Sequence, residues 1–213
     1  KERENFVFLS NKGWAQGNND RGGVQFLIKA YAEEFTKDEP VELRIKINPA
    51  YCPVGWNVQE EIKKIGVEKR ENSPKLLIST DAVDYKKMPE FYDGDVFISS
   101  TMGDAFNIPC LEAMSLGIPV ITTDFGGQTD FVNEQNGWLI GGEMVEVTWD
   151  KAYEGVSWKK PDVEALKRKM RYCYENREEV KRKSEQAFLD AQKYSWRSAA
   201  EKLIENLKNL ESS

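Results

Sequence analysis

The sequence contains no histidine among its 213 residues. Serine or cysteine nucleophiles that rely on a histidine base are therefore excluded within this chain, as are histidine-based metal sites. The three cysteines, Cys52, Cys110 and Cys173, are odd in number and widely spaced. This pattern indicates neither a disulfide framework nor a zinc site, so we expect free thiols in a reducing compartment.

Long apolar runs are also missing from the sequence. No stretch reaches the roughly 18–20 apolar residues that a membrane-spanning helix needs. Residues 1–5 are mostly charged and lead directly into an apolar segment. We therefore expect no signal peptide and a cytoplasmic location.

The chain has no excess of basic residues, since its net charge is −6. Nucleic-acid-binding surfaces carry such an excess, so we expect no nucleic-acid partner. A small phosphorylated ligand remains compatible with this charge, because it needs only one or two local cations and some backbone amides. Hydrophobic residues make up 40% of the sequence, which is enough for a sizeable core.

Six short apolar or alternating segments are typical of β-strands, and helical patterns separate them. This order predicts an α/β fold: a doubly wound, Rossmann-like parallel sheet of about six strands with helices on both faces. Residues 141–160 show no period and are predicted to form a loop whose aromatic side chains either contact a partner or cover the core. The predicted strands are 6–10, 41–47, 75–80, 95–100, 118–123 and 137–140. The predicted helices are 24–35, 57–66, 86–92, 109–116, 161–176, 177–193 and 195–210.

Ligands of such sheets bind at the carboxyl ends of the strands. The loops expected to matter most are therefore 11–23, 81–85, 101–108 and 124–130. In the last of these loops, Asp130 is predicted to cap a following helix.

The most informative stretch is 100–127, which is predicted to run as loop, helix, strand and glycine-rich turn. Asp104 lies in the loop, and Glu112 follows eight residues later in the helix. This arrangement suits a nucleotide that carries a polar group at its far end. Amides at the helix start can meet phosphates, one carboxylate can meet ribose hydroxyls, and the other can meet the remote group.

Residues 100–140 contain a long motif in a specific order. Its residues are Ser100, Thr101, Asp104, Ala105, Phe106, Asn107, Glu112, Ala113, Met114, Gly117, Pro119, Val120, Ile121, Gly126, Gly127, Gly137, Trp138 and Leu139. This motif resembles the pattern Pro-Ser-x-x-Glu-Gly-Phe-Gly-x-x-x-x-Glu-Ala-Met-x-x-Gly-x-Pro-Val-Ile, then Gly-Gly and a late Gly-Trp-Leu. That pattern belongs to the donor-binding half of retaining glycosyltransferases of family 4, which have the two-domain GT-B fold.

Weaker agreement extends the resemblance over nearly the whole chain, through the Arg21-Gly22 turn, residues 30–35 and the segment 194–196. It implies that residues 1–213 form one donor-binding domain of a GT-B enzyme. The helix in 195–213 is expected to pack on an N-terminal acceptor domain of the same enzyme. Because that half is not in this sequence, we expect a fragment that binds donor but transfers poorly.

The resemblance also implies the reaction, which is transfer of a hexose from a nucleotide-diphospho-sugar to an acceptor hydroxyl with retention of configuration. The donor is a UDP-, GDP- or ADP-sugar, and no metal or other cofactor is required. The acceptor is left open between a glycan, a lipid-linked molecule and a protein. It is one of the partners that the aromatic side chains of residues 141–160 are expected to contact, if they do not cover the core instead. Peripheral membrane association of the intact enzyme is also left open.

Roles for individual residues follow from the resemblance. Glu112 is expected to accept hydrogen bonds from both ribose hydroxyls, which an ionised carboxylate can do. Asp104 takes the place of the glutamate that meets the transferred sugar near the reacting end. Because aspartate is one methylene shorter, the identity of the sugar stays open.

The predicted diphosphate site combines amides with cations. Ala105, Phe106 and Asn107 replace the usual Gly-Phe-Gly, and their amides are expected to face the diphosphate. Arg21 is expected to stabilise charge on the departing phosphate, with Lys12 as a second cation. We therefore predict Asp104 and Arg21 as the catalytic residues.

The remaining candidates lie on two other loops. Gly126 and Gly127 are expected to let the chain approach the ligand closely. Thr80 and Asp81 follow the third strand, where the resemblance places the nucleotide base.

Two other functions are weighed against this one. A dinucleotide-dependent oxidoreductase needs Gly-x-Gly-x-x-Gly after strand one, but Gly13, Gly17, Gly22 and Gly23 have other spacings. A catalytically inactive interaction module would explain Asp104 and the two missing glycines.

Overall fold

The structure is a computed structural model that describes residues 3–67 and 72–211. Its strands are β1 (Phe6–Lys12), β2 (Val41–Ile47), β3 (Lys75–Ser79), β4 (Val96–Ser99), β5 (Val120–Thr123), β6 (Gly137–Ile140), β7 (Gly142–Glu146) and β8 (Ser157–Pro161). The first six form a parallel sheet in the order β3-β2-β1-β4-β5-β6, and β7 and β8 form a separate antiparallel pair. The prediction of a doubly wound, Rossmann-like parallel sheet is confirmed.

Helices cover both faces of the sheet. On one face α1 and α5 pack over the larger core cluster, and on the other α4 and α6 pack over a second cluster. Short 3-10 turns complete the connections. The α-helices are α1 (Val24–Glu34), α2 (Val58–Ile65), α3 (Met88–Phe91), α4 (Ile108–Ser115), α5 (Val163–Glu175), α6 (Arg177–Ala191) and α7 (Trp196–Glu211).

The central strands are buried because they face helices on both sides. The first five residues of β1 are all buried, as its continuous apolar run predicts. In β2 the alternation separates two faces. Leu43, Ile45 and Ile47 enter the larger core, whereas Glu42 points to the opposite face and pairs with Arg44 and Lys75.

Local signals in the sequence set several helix ends. Asn57 caps α2, because its Oδ1 accepts hydrogen bonds from the amides of Gln59 at 2.9 Å and Glu60 at 3.2 Å. Gly66 ends the same helix in the left-handed region, with φ of 76°.

Residues 141–160 correct the predicted loop. They contain the antiparallel strands β7 and β8, in which Val145 pairs with Trp158. Most of β7 is exposed, and the segment packs on the body mainly through Val147 and Trp158, which contact Phe26 and Met102. With so few buried positions, the sequence shows no hydrophobic alternation.

The prediction for Asp130 is also wrong. This residue ends a short 3-10 turn, Gly127–Asp130, and β6 is the next regular element. The turn is anchored by the fully buried Gln128, whose Nε2 donates to the Thr123 carbonyl at 3.1 Å. No helix starts directly after Asp130, since residues 131–136 are not helical, so its exposed carboxylate has no helix to cap.

The last helix, α7, lies at the surface, and nearly all of residues 196–210 are exposed. Its apolar side chains are exposed and form a stripe of Leu203, Ile204, Leu207 and Leu210. Within the described part of the chain, this helix and the others are too short or too polar to cross a membrane.

Candidate functional site

The sheet reverses its winding between β1 and β4. The chain leaves β1 for α1 on one face, and it leaves β4 for α4 on the other. The two diverging connections open a crevice at the carboxyl ends of these strands, which is where ligands bind in such sheets. Loops 13–23 and 100–107 line this crevice.

A polar cluster lies at the centre of the crevice. Lys12 ends β1, and its Nζ donates to Oδ2 of Asp104 at 2.9 Å and to Oδ1 of Asn107 at 2.7 Å. The side chain of Asn107 also donates, through Nδ2, to Oγ of Ser99 at 2.9 Å. The structure thus brings together three of the predicted site residues: Lys12 at the end of β1, Asp104 in the loop after β4 and Asn107 at the start of α4.

Burial and charge act in opposite directions on the Asp104 carboxyl. Burial alone would raise its pKa, but the charge and hydrogen bond of Lys12 outweigh that effect. The amides of Asn107 and Phe106 add to the lowering, so the pKa of Asp104 lies below its usual value. The group is therefore an anion paired with a cation whose side chain is only 8% exposed.

The amides predicted to face a diphosphate have partners in the chain. Oδ1 of Asp104 accepts from the amide of Asn107 at 2.8 Å and from that of Phe106 at 3.2 Å. A phosphate could use these two donors only after Asp104 turned away from them. Ala105 is exposed beside them, and the Phe106 ring lies 5.4 Å from the ring of Phe131.

Asn107 supplies the backbone geometry that the missing glycine would supply. It is the residue before α4 and has φ of 66° and ψ of 56°, in the left-handed region. Asparagine adopts this region more readily than most residues. The loop therefore makes its turn into the helix without glycine, and the changed sequence does not prevent a compact loop.

Glu112 lies one turn inside α4 and is half-buried. Its Oε2 accepts a hydrogen bond from the Tyr92 hydroxyl at 2.7 Å. Burial, then the Glu112 carboxylate, raises the pKa of Tyr92, and the side chain of Asn11 lies beside the same hydroxyl. The sequence analysis did not identify Tyr92 or Asn11 as site residues. The only available signal was that Asn11 directly follows the predicted first strand, where ligands bind.

Arg21 lies over the loop that follows β4. Its Nη1 donates to the Gly103 carbonyl at 2.8 Å, and its own carbonyl accepts from the amide of Met102 at 2.8 Å. The preceding residue, Asp20, organises this loop by accepting from the amides of Ala15 and Gly22, at 2.7 and 2.8 Å. Arg21 is thus held one residue away from Asp104.

The glycine pair brings two segments of backbone together. The Gly127 amide donates to the Asp104 carbonyl at 3.0 Å. A Cβ at Gly127 would lie 2.0 Å from the Ala105 carbonyl oxygen, and one at Gly126 would lie 2.5 Å from that of Asp104. Glycine is therefore required here for contact between the loops 104–106 and 124–130.

Thr80 and Asp81 follow β3, which lies two strands away from β1 in the sheet. The Asp81 side chain is exposed, and its carbonyl accepts from Nζ of Lys46. Lys46 is 5% exposed and also donates to the Ile47 carbonyl at 3.3 Å. Lys46 therefore fixes the start of the loop after β3. The sequence did not predict this role, because Lys46 occupies an ordinary position in an alternating strand.

The described part of the chain contains no cluster of side chains of the kind that binds a metal ion. Across residues 3–67 and 72–211, no three cysteine, aspartate or glutamate side chains are placed to hold one metal ion.

Comparison with known proteins gives one family and many similar folds. The sequence pattern of the family Glycosyl transferases group 1 matches residues 21–190. Among curated proteins, none is significantly similar in sequence to this chain.

Three solved structures illustrate the structural similarity. Anabaena HepE in complex with UDP and glucose superposes with a TM-score of 0.68 at 17% identity, over 97% of this chain and 49% of HepE. Sucrose-phosphate synthase from Thermosynechococcus elongatus gives 0.69 at 14% identity, over 100% of this chain and 47% of the synthase. The C-terminal domain of a group 1 glycosyl transferase, LpcC from Francisella tularensis, gives a TM-score of 0.61 at 14% identity, over 89% of this chain and 85% of the LpcC domain. The chain therefore spans about half the length of the first two proteins and most of the isolated C-terminal domain.

Proposed function

Because this chain belongs to the group 1 glycosyl transferases, we propose that it is the nucleotide-sugar-binding domain of a GT-B glycosyltransferase. The observation that carries the proposal is the cluster of Lys12, Asp104 and Asn107 at the point where the sheet reverses its winding. Glu112 follows on the helix that starts at this cluster. Asp104, the cation beside the helix start and Glu112 match the sugar, the diphosphate and the ribose of a nucleotide-diphospho-sugar.

The diphosphate takes the place beside Lys12 and Arg21. Lys12 is almost fully buried, so its charge acts on a bound phosphate with little screening by water. Phosphate oxygens would replace the Asp104 carboxylate as the partner of Lys12 and of the two loop amides. Charge that develops on the departing phosphate is then stabilised by two cations that are already in position.

Each carboxylate has its own part of the donor. Once released from Lys12, Asp104 is free to accept hydrogen bonds from hydroxyls of the transferred sugar. Glu112 uses one oxygen for Tyr92, and its other oxygen accepts from the ribose hydroxyls. Thr80 and Asp81 border the base, on a loop start that Lys46 fixes.

The reaction belongs to the intact protein, of which this chain is proposed to be the donor half. The second half holds the acceptor, whether a glycan, a lipid-linked molecule or a protein. Transfer of a hexose proceeds with retention and without a metal, the leaving phosphate receiving the proton of the acceptor hydroxyl. We place the enzyme in the cytoplasm, with peripheral membrane contact decided by the other half. UDP is the first nucleotide to test, because HepE has been solved with it.

A thermal-shift panel with UDP, GDP, ADP and UDP-glucose, each with Mg²⁺ or with EDTA, tests the proposal. A nucleotide at 100 times its Kd adds about 2.7 kcal/mol to the free energy of unfolding. For a domain of this size that is a rise of roughly 5–10 °C in Tm. We expect one nucleotide to produce this shift in EDTA.

The variant Lys12→Ala should bind that nucleotide about 10–100-fold more weakly, because it loses a charge-assisted hydrogen bond. Lys63→Ala removes an exposed lysine of α2 and serves as the control. Equal affinity in the two variants, or no response to any nucleotide at millimolar concentration, would contradict the proposal and favour an interaction module.

A further inference from the structure

Three aromatic residues form a cluster at the surface, here called the aromatic platform: Trp149 and Tyr153 from the segment between β7 and β8, and Trp158 from β8 itself. Trp158 is buried, whereas Trp149 and Tyr153 are 37% and 38% exposed. The ring of Tyr153 lies 4.9 Å from that of Trp158, and the ring of Trp149 lies 6.0 Å from it, both in edge-on packing. Two partly exposed rings are thus held in place by a third ring that is rooted in the body of the domain.

The platform adjoins the candidate site through loop 101–104. The Lys159 amide donates to the Met102 carbonyl at 2.9 Å, which fixes β8 to this loop. A Cβ built on Gly103 would be 3.4 Å from Cδ1 of Trp158, so the indole lies against the residue before Asp104. The buried ring of the platform therefore touches the residue next to Asp104, whose carboxylate is proposed to meet the transferred sugar.

Polar side chains next to the rings in the chain connect the platform to two loops. Gln16 donates to Oδ2 of Asp150 at 2.6 Å, which links the platform to the loop after β1. Lys159 pairs with Asp124 at 2.7 Å, which links it to the turn after β5. These contacts attach the platform to the loops on both sides of the crevice.

This combination has the chemistry of a sugar-binding surface. The C–H groups on one face of a pyranose pack against the negative face of an aromatic ring, and its hydroxyls need planar amides and carboxylates at the edge. A protein partner would need an interface of about 800 Å² on each side. Two partly exposed rings within a polar border fit a single sugar ring better than a surface of that size.

We propose that the aromatic platform binds a sugar ring of the acceptor, next to the donor sugar at Asp104. This inference rests on the proposed function, and it assigns part of the acceptor site to the donor domain. Trp158, which packs against both exposed rings, lies against Gly103, the residue before Asp104.

Saturation-transfer NMR on the full chain, with maltose, cellobiose and N,N′-diacetylchitobiose as probes at millimolar concentration, tests the platform. We expect at least one disaccharide to receive saturation at its ring protons. Trp149→Ala and Tyr153→Ala should each weaken that binding about tenfold, the size expected from loss of one aromatic contact. Tyr153→Phe keeps the ring and should bind nearly as well.

Trp196→Ala is the matched control, because it removes a tryptophan that is 91% exposed at the start of α7. Unchanged disaccharide binding in both platform variants, or no binding of any disaccharide to the unmodified chain, would overturn the inference. The nucleotide thermal shift of each platform variant should equal that of the unmodified chain. If the unmodified chain showed no thermal shift with any nucleotide, the proposed function would fail. Failure of the platform inference is read from disaccharide binding instead, so the two outcomes are distinguishable.

Discussion

At the scale of single residues, the pair of Lys12 and Asp104 determines how the crevice behaves when it is empty. Both groups are largely removed from water, and each satisfies the other at 2.9 Å. Breaking such a pair by removing one charge is costly, because the remaining charge stays buried. The pair thus stabilises the empty site, and a bound phosphate has to replace one of its members.

We expect Asp104→Asn to lower the free energy of unfolding at pH 7 by about 1–3 kcal/mol. The pKa of Asp104 in the folded chain lies below its value in the unfolded chain, so the ionised carboxylate stabilises the fold. That stabilisation is complete above the unfolded pKa of about 3.9 and is lost as the pH falls through the lower folded pKa. Urea unfolding of both proteins should show a large difference at pH 7 and a smaller one at pH 3. A difference that is the same at both pH values would contradict this interpretation.

Asn107 offers a second test at this scale, because its φ is 66°. Alanine in the left-handed region costs about 1–2 kcal/mol, whereas glycine adopts it freely. Both substitutions remove the hydrogen bonds to Lys12 and Ser99. We therefore expect Asn107→Ala to be less stable than Asn107→Gly by about 1 kcal/mol in thermal unfolding. Equal stability of the two variants would show that the backbone is not held in this conformation.

How far the site could be predicted depends on which contacts are local in sequence. Asp104, Asn107 and Glu112 lie in one short stretch, so their pattern is visible without a structure. Tyr92 and Lys46 act through partners 20 and 35 residues away, and nothing in their own surroundings indicates this. Whether the predicted residues bind a donor stays a prediction.

At the scale of helices and strands, the sequence pattern predicted the parallel sheet but not the antiparallel pair β7-β8, whose residues are mostly exposed. The pattern of β2 predicted Val41–Ile47 with its correct bounds, because one face of that strand is fully apolar. In β7 and β8 few residues are buried, so the pairing depends on backbone hydrogen bonds that composition does not reveal. Trp149 and Tyr153, in the segment between these strands, are likewise partly exposed.

A clamp between α1 and α5 provides a test of helix packing. The guanidinium of Arg171 pairs with Glu34 at 2.8 Å and with Glu39 at 2.5 Å, and it lies 4.5 Å from the centre of the Phe35 ring. The hydrogen bond from Arg171 lowers the pKa of Glu39.

Lysine can keep the charge of Arg171 but loses the forked donors and the planar stacking. We expect Arg171→Lys to destabilise the chain by about 1–2 kcal/mol in chemical denaturation. The control is Arg168→Lys, on the same helix, where the side chain is 70% exposed. If both variants lost the same stability, the clamp would contribute nothing specific.

At the scale of the whole molecule, α7 and the length of the chain point to the same arrangement. The chain spans about half of HepE and of the sucrose-phosphate synthase. The helix carries an exposed apolar stripe that ends at Leu210. We propose that α7 packs on the acceptor half of the intact enzyme, so its stripe is covered there.

Removal of residues 195–213 from this chain tests that arrangement. Because nearly all of α7 is exposed, its removal should change the free energy of unfolding by no more than about 0.5 kcal/mol. The nucleotide thermal shift should also stay unchanged, whereas the same truncation of the intact enzyme should reduce its transfer activity. A truncated chain that no longer unfolds cooperatively would mean that α7 belongs to the core of this domain.

Amide NMR of the isotope-labelled chain during titration with UDP is the most direct test of the nucleotide site. We expect the largest chemical-shift changes at 11–23 and 101–112, including the amides of Phe106 and Asn107 that now contact Asp104. Glu112→Gln should bind more weakly while the same residues still shift. Changes confined to α7 or to the far ends of the strands, or no changes at millimolar UDP, GDP and ADP, would contradict a nucleotide site between β1 and β4.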